Sequence, residues 1–260
     1  MSPDPDASRS VGADPTRFRV LVPIDASRDV EPSPHLYRLL EAFDPVVLGY
    51  YPIPEQTTPE QARGEFEDEA VDRVEGVLAP LLADRAGVES LLVFTPDRVE
   101  TIERVAEEYA CDAVLAPGAI ERLERVLVPV RGGTNVGRIV AFVDALVEEV
   151  TVGVTLLHVA PEEDRREESE LVLRGARERL VEQGLDPGLF DLEVRVADRP
   201  IPAIAEVAAT HDAVVIGETE PSIRDRLLGD RPERLVEAVG CPVLIVRRDH
   251  DESVSGSETS

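Results

Sequence analysis

The sequence predicts an α/β protein made of two successive doubly wound parallel-sheet domains. The segment Arg19–Ser27, which reads Arg-Val-Leu-Val-Pro-Ile-Asp-Ala-Ser, has a near copy at Arg125–Gly133. A second pair of similar segments follows, Cys111–Ala116 and His211–Ile216. Short apolar runs rich in Val and Leu alternate with amphipathic segments, as in right-handed βαβ units. The chain therefore contains the same domain twice.

The composition fits two ordinary domains in a strongly acidic chain. A chain of 260 residues with 43% hydrophobic content can form two cores, built mainly from aliphatic residues because aromatics make up only 4%. The formal charge is −26, and all 27 basic residues are Arg. We interpret the acidic surface as suited to a halophilic, high-salt cytoplasm, where salt screens like charges. A face made for a basic partner is the alternative.

The charge and the hydropathy also exclude several function classes. An acidic surface argues against unassisted binding of nucleic acid, which depends on clustered cations. No apolar run approaches the length of a membrane helix and no signal peptide is recognisable, so we expect a cytoplasmic protein without direct membrane insertion. Cys111 and Cys241 each stand at the start of a predicted strand, where we expect small buried hydrophobes.

The first domain is predicted at residues 18–122, after a disordered tail over residues 1–17. Helices are predicted near His35–Ala42, from about Pro59, and over Val99–Tyr109, with apolar residues at helical spacing. Only Ala119–Glu124 separates the fourth strand from the second domain, enough for one or two helical turns. The first copy thus lacks a last helix and strand. Its four strands are predicted at Val20–Ile24, Val46–Tyr50, Glu89–Phe94 and Ala113–Ala116.

The second domain is predicted to be complete, over residues 123–248, and an acidic, Ser-rich disordered tail follows at 249–260. Its first helix has Thr134 or Asn135 as the expected N-cap. The later helices are predicted at about Glu163–Glu182, Pro202–Thr210 and Pro232–Val239. Its strands are predicted at Arg125–Val130, Val152–Val159, Leu192–Val196, Asp212–Ile216 and Pro242–Val246.

The last strand has no counterpart in the first copy. Pro242–Val246 is therefore expected to be an exposed sheet edge unless another strand pairs with it. We predict a homodimer formed through this strand.

Several motifs resemble the universal stress protein family. The similar segments are Val22–Ser27, Leu156–Val159, Asp212–Gly217 and Cys241–Val246, and the ordered set covers roughly residues 18–248. The resemblance implies a tandem form with a truncated first domain and adenine nucleotide alpha hydrolase-like sheets in strand order 3-2-1-4-5. It also implies pairing through the fifth strand, and the family contains both nucleotide-binding and non-binding members.

The family's nucleotide-binding members carry a glycine loop after the fourth strand, where backbone amides approach phosphate. Here Gly217 and Gly229 match its first and third glycines, Glu220 replaces the middle one, and Asp230 stands where a hydroxyl is expected. Asp230 begins a capping-box-like helix start with Pro232 and Glu233. Together with Glu218 and Glu220 it repels phosphate, so a structural loop and a nucleotide site both remain open interpretations.

If a nucleotide binds, the resemblance implies ATP or AMP in the second domain. Base contacts would come from Val130 and Val159 at strand ends, and phosphate contacts from the backbone around Gly217, Gly229 and Arg231. The family's acidic residue after the first strand is present in the first domain as Asp25. The second domain has Arg131 there.

The segment Arg131-Gly132-Gly133 supports two interpretations. It is suited to hold an anion at a helix start, with Arg138 one turn further on. Alternatively, Arg131 neutralises Glu218 and Glu220. The arginines that we expect to face an anion in the first case are Arg224, Arg226 or Arg231.

No catalytic constellation stands out. Neither metal-ligand spacing of the histidines nor a Ser or Cys nucleophile motif is present, so we do not expect an enzyme or a metal site. The histidines are His35, His158, His211 and His250. We expect a stress-response or regulatory module whose second domain senses an adenine nucleotide. The alternative is a protein-interaction module without a nucleotide, accessory to an amino-acid transporter.

Overall fold

The computed structural model describes residues 17–29, 32–83, 87–131, 136–218 and 238–248. The predicted C-terminal tail, the predicted N-caps Thr134 and Asn135, and most of the predicted N-terminal tail and of the predicted helix Pro232–Val239 lie outside these ranges. The strands are β1 Arg19–Asp25, β2 Asp44–Pro52, β3 Glu89–Thr95, β4 Ala113–Ala116, β5 Arg125–Pro129, β6 Gly153–Ala160, β7 Phe190–Val196, β8 Ala213–Gly217 and β9 Val243–Val246. The helices are α1 Pro34–Leu40, α2 Pro59–Ala83, α3 Arg98–Glu108, α4 Val136–Glu149, α5 Arg166–Glu182 and α6 Pro200–Ala208.

All nine of these strands form one sheet in the order β3-β2-β1-β4-β9-β8-β5-β6-β7. Read from its own first strand, the second half (residues 119–248) has the order 3-2-1-4-5 and is parallel throughout. The first half (residues 17–118) has the same order without a fifth strand, 3-2-1-4. The predicted fold class and the truncation of the first copy are confirmed.

The strand β9 belongs to both halves. It pairs in parallel with β8, and it pairs antiparallel with β4, from Ala113 opposite Val246 to Ala116 opposite Val243. Pro242–Val246 was expected to be an exposed edge unless another strand paired with it, and β4 is that strand. The first half has no fifth strand of its own, so the open edge of β4 takes up the strand of the second half. A homodimer through Pro242–Val246 would have no free backbone edge to use.

The linker between the halves is not helical. Residues 119–124 are long enough for one or two helical turns, but they run without regular secondary structure. The Ala119 amide donates to the Gly240 carbonyl at 2.9 Å, and Ile120 and Leu123 are buried in the core. This backbone hydrogen bond beside β9 and the packing of the two apolar side chains hold the linker in place. A helix this short would be marginally stable by itself.

Both faces of the sheet are covered by helices, as expected for parallel strands buried on both sides. One face carries a single continuous hydrophobic cluster that extends over both halves. In it the Phe142 ring of α4 stacks on Phe43 with centroids 4.4 Å apart and meets the edge of Phe18 at 5.2 Å. The opposite face is divided into two clusters, under α3 and under α6. The two halves therefore share one core on one side of the sheet.

Candidate functional site

The carboxyl edge of the second half is where a ligand is expected in an open α/β sheet. Strand order reverses at β5, which has β6 on one side and β8 on the other. Val130 directly follows β5 and is buried, Val159 is half-buried near the end of β6, and Gly217 is the last residue of β8. Three of the predicted ligand contacts thus lie along one edge. The other predicted residues of this site, Gly132, Gly229, Asp230 and Arg231, lie outside the described residues, as do Gly133, Glu220, Arg224 and Arg226.

The end of β5 is fixed to β6 by its backbone. The Val130 amide donates to the Leu157 carbonyl at 2.7 Å, and Nδ1 of His158 lies 2.8 Å from the Val130 carbonyl oxygen. Because a carbonyl only accepts, this ring nitrogen must carry the proton. Arg131 follows with an exposed side chain. At this edge, the buried and hydrogen-bonded Val130 therefore lies beside the solvent-exposed guanidinium of Arg131.

The residue after Gly217 brings a negative charge to the same edge. The Glu218 amide donates to the Val246 carbonyl at 2.7 Å, and its carboxylate accepts from the Arg248 amide at 3.3 Å. Nε of Arg248 donates to the Glu218 carbonyl at 2.9 Å. Glu218 is thus hydrogen-bonded to Val246, the last residue of β9, and to Arg248. Among the described residues, an anion near Gly217 therefore meets the carboxylate of Glu218 and the guanidinium of Arg248.

Arg138 is directed at the other half of the molecule. One of its terminal guanidinium nitrogens, Nη2, donates to Oδ1 of Asp112 at 2.6 Å, and the side chain is only 18% exposed. Asp112 stands at the start of β4, and its second oxygen accepts from the Arg19 amide. Arg138 therefore contributes to the contact between the halves. The sequence had suggested instead that Arg138 helps to bind an anion.

In the first half, Asp25 is engaged by its own turn. Its carboxylate accepts from the Ser27 amide at 3.0 Å and from the Ser27 hydroxyl at 2.6 Å, and Nε of Arg28 lies 3.2 Å from it. This is an Asx-type turn, in which a side chain satisfies the backbone that follows. The carboxylate that the resemblance assigns to ligand binding is thus already surrounded by donors of the chain itself.

Two further residues join Asp25 that the sequence did not single out. Tyr50 lies opposite Asp25 on the neighbouring strand β2. Arg98 is the first residue of α3 and makes a hydrogen bond with the Tyr50 side chain. Burial, followed by the charge of Asp25, raises the pKa of Tyr50, while Arg98 and Arg28 oppose that shift. The phenol is therefore neutral at ordinary pH. Tyr50 is the last residue of the predicted second strand and Arg98 follows the predicted third strand, so the sequence signal for both lies at the strand ends.

The cysteines and the buried histidine are structural. Cys111 and Cys241 are both free and buried, and burial raises their thiol pKa values to about 12 and about 11. Nε2 of His211 contacts the Thr155 hydroxyl at 2.9 Å, and Nδ1 contacts the Val207 carbonyl at 2.9 Å. Within the described ranges, no cluster of three or more His, Cys, Asp or Glu side chains is arranged to hold a metal ion.

The helices of the described ranges are all too short or too polar to cross a bilayer.

Comparison with known proteins finds a family match in the second half. Residues 122–247 match the model of the universal stress protein family. No curated protein matches the chain. Among solved structures, a universal stress protein from Archaeoglobus fulgidus DSM 4304 is 14% identical and covers 91% of this chain and 98% of its own, with a TM-score of 0.58. At this identity the likeness shows the fold alone, and it extends over both halves.

A second solved structure of similar shape is part of a membrane transporter. The cytoplasmic domain of a prokaryotic cation chloride cotransporter is 12% identical and covers 88% of this chain and 95% of its own, with a TM-score of 0.51. This likeness also concerns the fold alone.

Proposed function

Because residues 122–247 match the model of the universal stress protein family, we propose that the chain is a cytoplasmic regulatory module whose second half senses an adenine nucleotide, ATP or AMP. The observation that carries the proposal is the arrangement at the carboxyl edge of the second half. There the buried Val130 directly follows β5 and Gly217 ends the adjacent strand β8, at the point where strand order reverses. Ligands of open α/β sheets bind at this place.

Electrostatics decide how tightly such a ligand binds. The Glu218 carboxylate next to Gly217 repels a phosphate in close contact by about 1 to 4 kcal/mol, depending on the local dielectric. The exposed guanidinium of Arg131 attracts it from the end of β5. In molar salt the screening length falls to about 3 Å, which weakens the repulsion of all but touching groups. We therefore expect binding in the micromolar to millimolar range in high salt.

Equilibrium dialysis with ATP and AMP in molar KCl tests this proposal. Replacing Arg131 by Ala removes the attractive charge, and we expect a roughly tenfold loss of affinity, as for one charge-assisted hydrogen bond. Asp25→Ala, at the equivalent position of the first half, is the matched control and leaves the affinity unchanged. Absence of retention at millimolar nucleotide removes the sensor proposal. A loss with Asp25→Ala alone would move the site to the first half.

A second candidate is a protein-interaction module that binds no nucleotide. It is supported by the filled surroundings of Asp25 in the first half and by the carboxylate of Glu218 in the second. The cotransporter domain described above has a similar fold as part of a transporter. On this view the chain is accessory to an amino-acid transporter. Co-sedimentation with proteoliposomes that contain a permease encoded beside this gene tests it, with empty liposomes as the control.

We further propose that the module is not an enzyme. A nucleotide hydrolase needs a positioned general base and metal ligands, and the described carboxyl edge of the second half offers the single carboxylate of Glu218 beside Gly217. Purified protein incubated with ATP and magnesium in molar KCl is expected to release phosphate no faster than buffer. Release above the buffer rate would contradict this proposal.

A further inference from the structure

The end of β9 lies between the candidate site and the first half. Val246, the last residue of β9, accepts from the Glu218 amide on one side and pairs with Ala113 of β4 on the other. The next two residues, Arg247 and Arg248, then diverge. Arg247 contacts the first half, and Arg248 contacts Glu218, the residue that follows Gly217. One short segment therefore connects two places that belong to different halves.

Arg247 completes the C-terminal end of α3. Its side chain is 9% exposed, and one terminal nitrogen, Nη1, donates to the carbonyls of Ala106 at 2.9 Å and of Cys111 at 3.1 Å. Its backbone amide donates to the Asp112 carbonyl at 2.8 Å. The Ala106 carbonyl also accepts from the Cys111 amide at 2.8 Å, so Arg247 adds a second donor to it, and a cation at this helix end is favoured by the helix dipole. The packing of this helix end depends on the position of Arg247.

Arg248 binds Glu218 beside the candidate site. Its amide and its Nε both bind Glu218, one through the carboxylate and the other through the carbonyl. An anion placed beside Gly217 repels the Glu218 carboxylate and attracts the Arg248 guanidinium. It therefore opposes the contact between them. Because Arg247 and Arg248 are consecutive, a displacement of Arg248 is transmitted to the backbone that positions Arg247.

We propose that Arg247 and Arg248 couple occupancy of the second-half site to the C-terminal end of α3 in the first half. The inference rests on the proposed function for the identity of the ligand. The link from Glu218 through Arg248 and Arg247 to the end of α3 does not depend on that function. An apolar floor of Ile102, Ala106, Val114 and Ile245 lies between α3 and the end of β9, with Glu218 and Arg247 in its lining. Residues of both halves therefore meet directly beside the segment that couples them.

Hydrogen exchange of the full chain in molar KCl tests the coupling without any ligand. Glu218→Ala removes the acceptor of the Arg248 amide, and we expect backbone amides of residues 104–113 to exchange about fivefold faster, the lower end of ordinary coupling. The helix α5 serves as internal reference and should be unchanged. Arg195→Ala, which removes an exposed ion pair with Glu193 on β7, is the matched control. Unchanged exchange at residues 104–113 in Glu218→Ala would overturn the proposal.

A second arm uses ATP as the probe. Saturating ATP is expected to speed exchange at residues 104–113 in the natural sequence. Arg248→Ala, compared at ATP concentrations raised until dialysis shows the same occupancy, is expected to abolish this response. ATP that binds without altering residues 104–113 would contradict the coupling. If dialysis shows no bound ATP, the sensor function fails, and the Glu218→Ala measurement alone decides whether the two halves are coupled.

Discussion

Asp112 and Asp212 occupy equivalent positions at the start of the fourth strand in each half. Asp112 accepts from the Arg19 amide at 2.6 Å, and Asp212 accepts from the Arg125 amide at 2.9 Å, so each carboxylate binds the opening amide of the first strand. The repeated Asp-Ala-Val motif therefore has a structural cause. The arginine partners differ: Arg138 pairs with Asp112, and Arg122 pairs with Asp212.

Because the Asp212 carboxylate accepts these hydrogen bonds in its charged form, we predict that the free energy of unfolding depends on pH. Burial raises its pKa, but hydrogen bonds from Arg122 and from the amides of Glu124 and Arg125 outweigh that effect and hold the pKa below the ordinary 3.8. The stabilisation is therefore fully present above about pH 4 and is lost as the pH falls through the folded-state pKa. Asp212→Ala leaves two amides without their acceptor, and we expect a loss of about 2 to 3 kcal/mol in the free energy of unfolding at pH 7.

Urea unfolding at fixed KCl concentration, at pH 7 and near pH 3, measures both effects. The difference between the natural sequence and Asp212→Ala should shrink at the lower pH. Asp191→Ala, at an exposed position of the edge strand β7, is the control and should change little at either pH. A difference that stays constant with pH would show that the charge of Asp212 is not the cause.

At the scale of single elements, β9 is the strand on which the two halves depend. It is only four residues long, yet all four are buried and both of its edges are paired. The chain around it is packed closely. A Cβ at Gly118 would meet backbone atoms of Cys241 and would lie 2.7 Å from the Pro242 nitrogen. Backbone atoms cannot move aside as the end of a flexible side chain can.

This close approach predicts that Gly118→Ala is destabilising. The added methyl group must displace the entrance to β9, and we expect a loss of about 1 to 3 kcal/mol in the free energy of unfolding, as for other overpacked sites. Gly175→Ala is the matched control, since a Cβ there meets no atom within 4 Å and lies inside α5. It should stabilise the protein by up to about 1 kcal/mol. Thermal unfolding in molar KCl compares the two, and equal shifts would contradict the close contact.

The sequence predicted most elements but not the pairing of this strand. The Val and Leu runs of β1 and β5 fix where strands begin, because buried parallel strands need continuous apolar residues. The same run in β9 indicates burial of its two faces and carries no information on its two edges. The position of Gly217 and Val130 at one edge followed from topology. The contacts of Arg247 and Arg248 depend on elements far apart in the chain, which no local pattern reveals.

In the whole molecule, contacts across the sheet join the halves on several sides. The Phe142 ring of α4 packs on Phe43 of the first half, and Arg17 forms an ion pair with Glu149 at 2.7 Å. The pairing of β4 with β9 adds a backbone ladder between the halves. The first half thereby obtains within its own chain the pairing through the fifth strand that the family resemblance implied and that we had expected from a second subunit.

This arrangement predicts a monomer. The edge through which we expected a dimer is already paired within the chain, and the edge strand β7 carries Asp191, Glu193 and Arg195 along its exposed side, which disfavours edge-to-edge association. Multi-angle light scattering at micromolar concentration in molar KCl should therefore give a mass near 28.4 kDa. A mass of twice that value would require a dimer surface other than Pro242–Val246.

The shared strand also determines the order of events during synthesis. Because β9 follows β4 in the chain with the other four strands of the second half between them, the edge of β4 stays unpaired on the ribosome until the second half has emerged. Pairings between distant segments form slowly, and open strand edges are sites of aggregation in the meantime. The nascent first half would then be the part of this protein that most needs a chaperone.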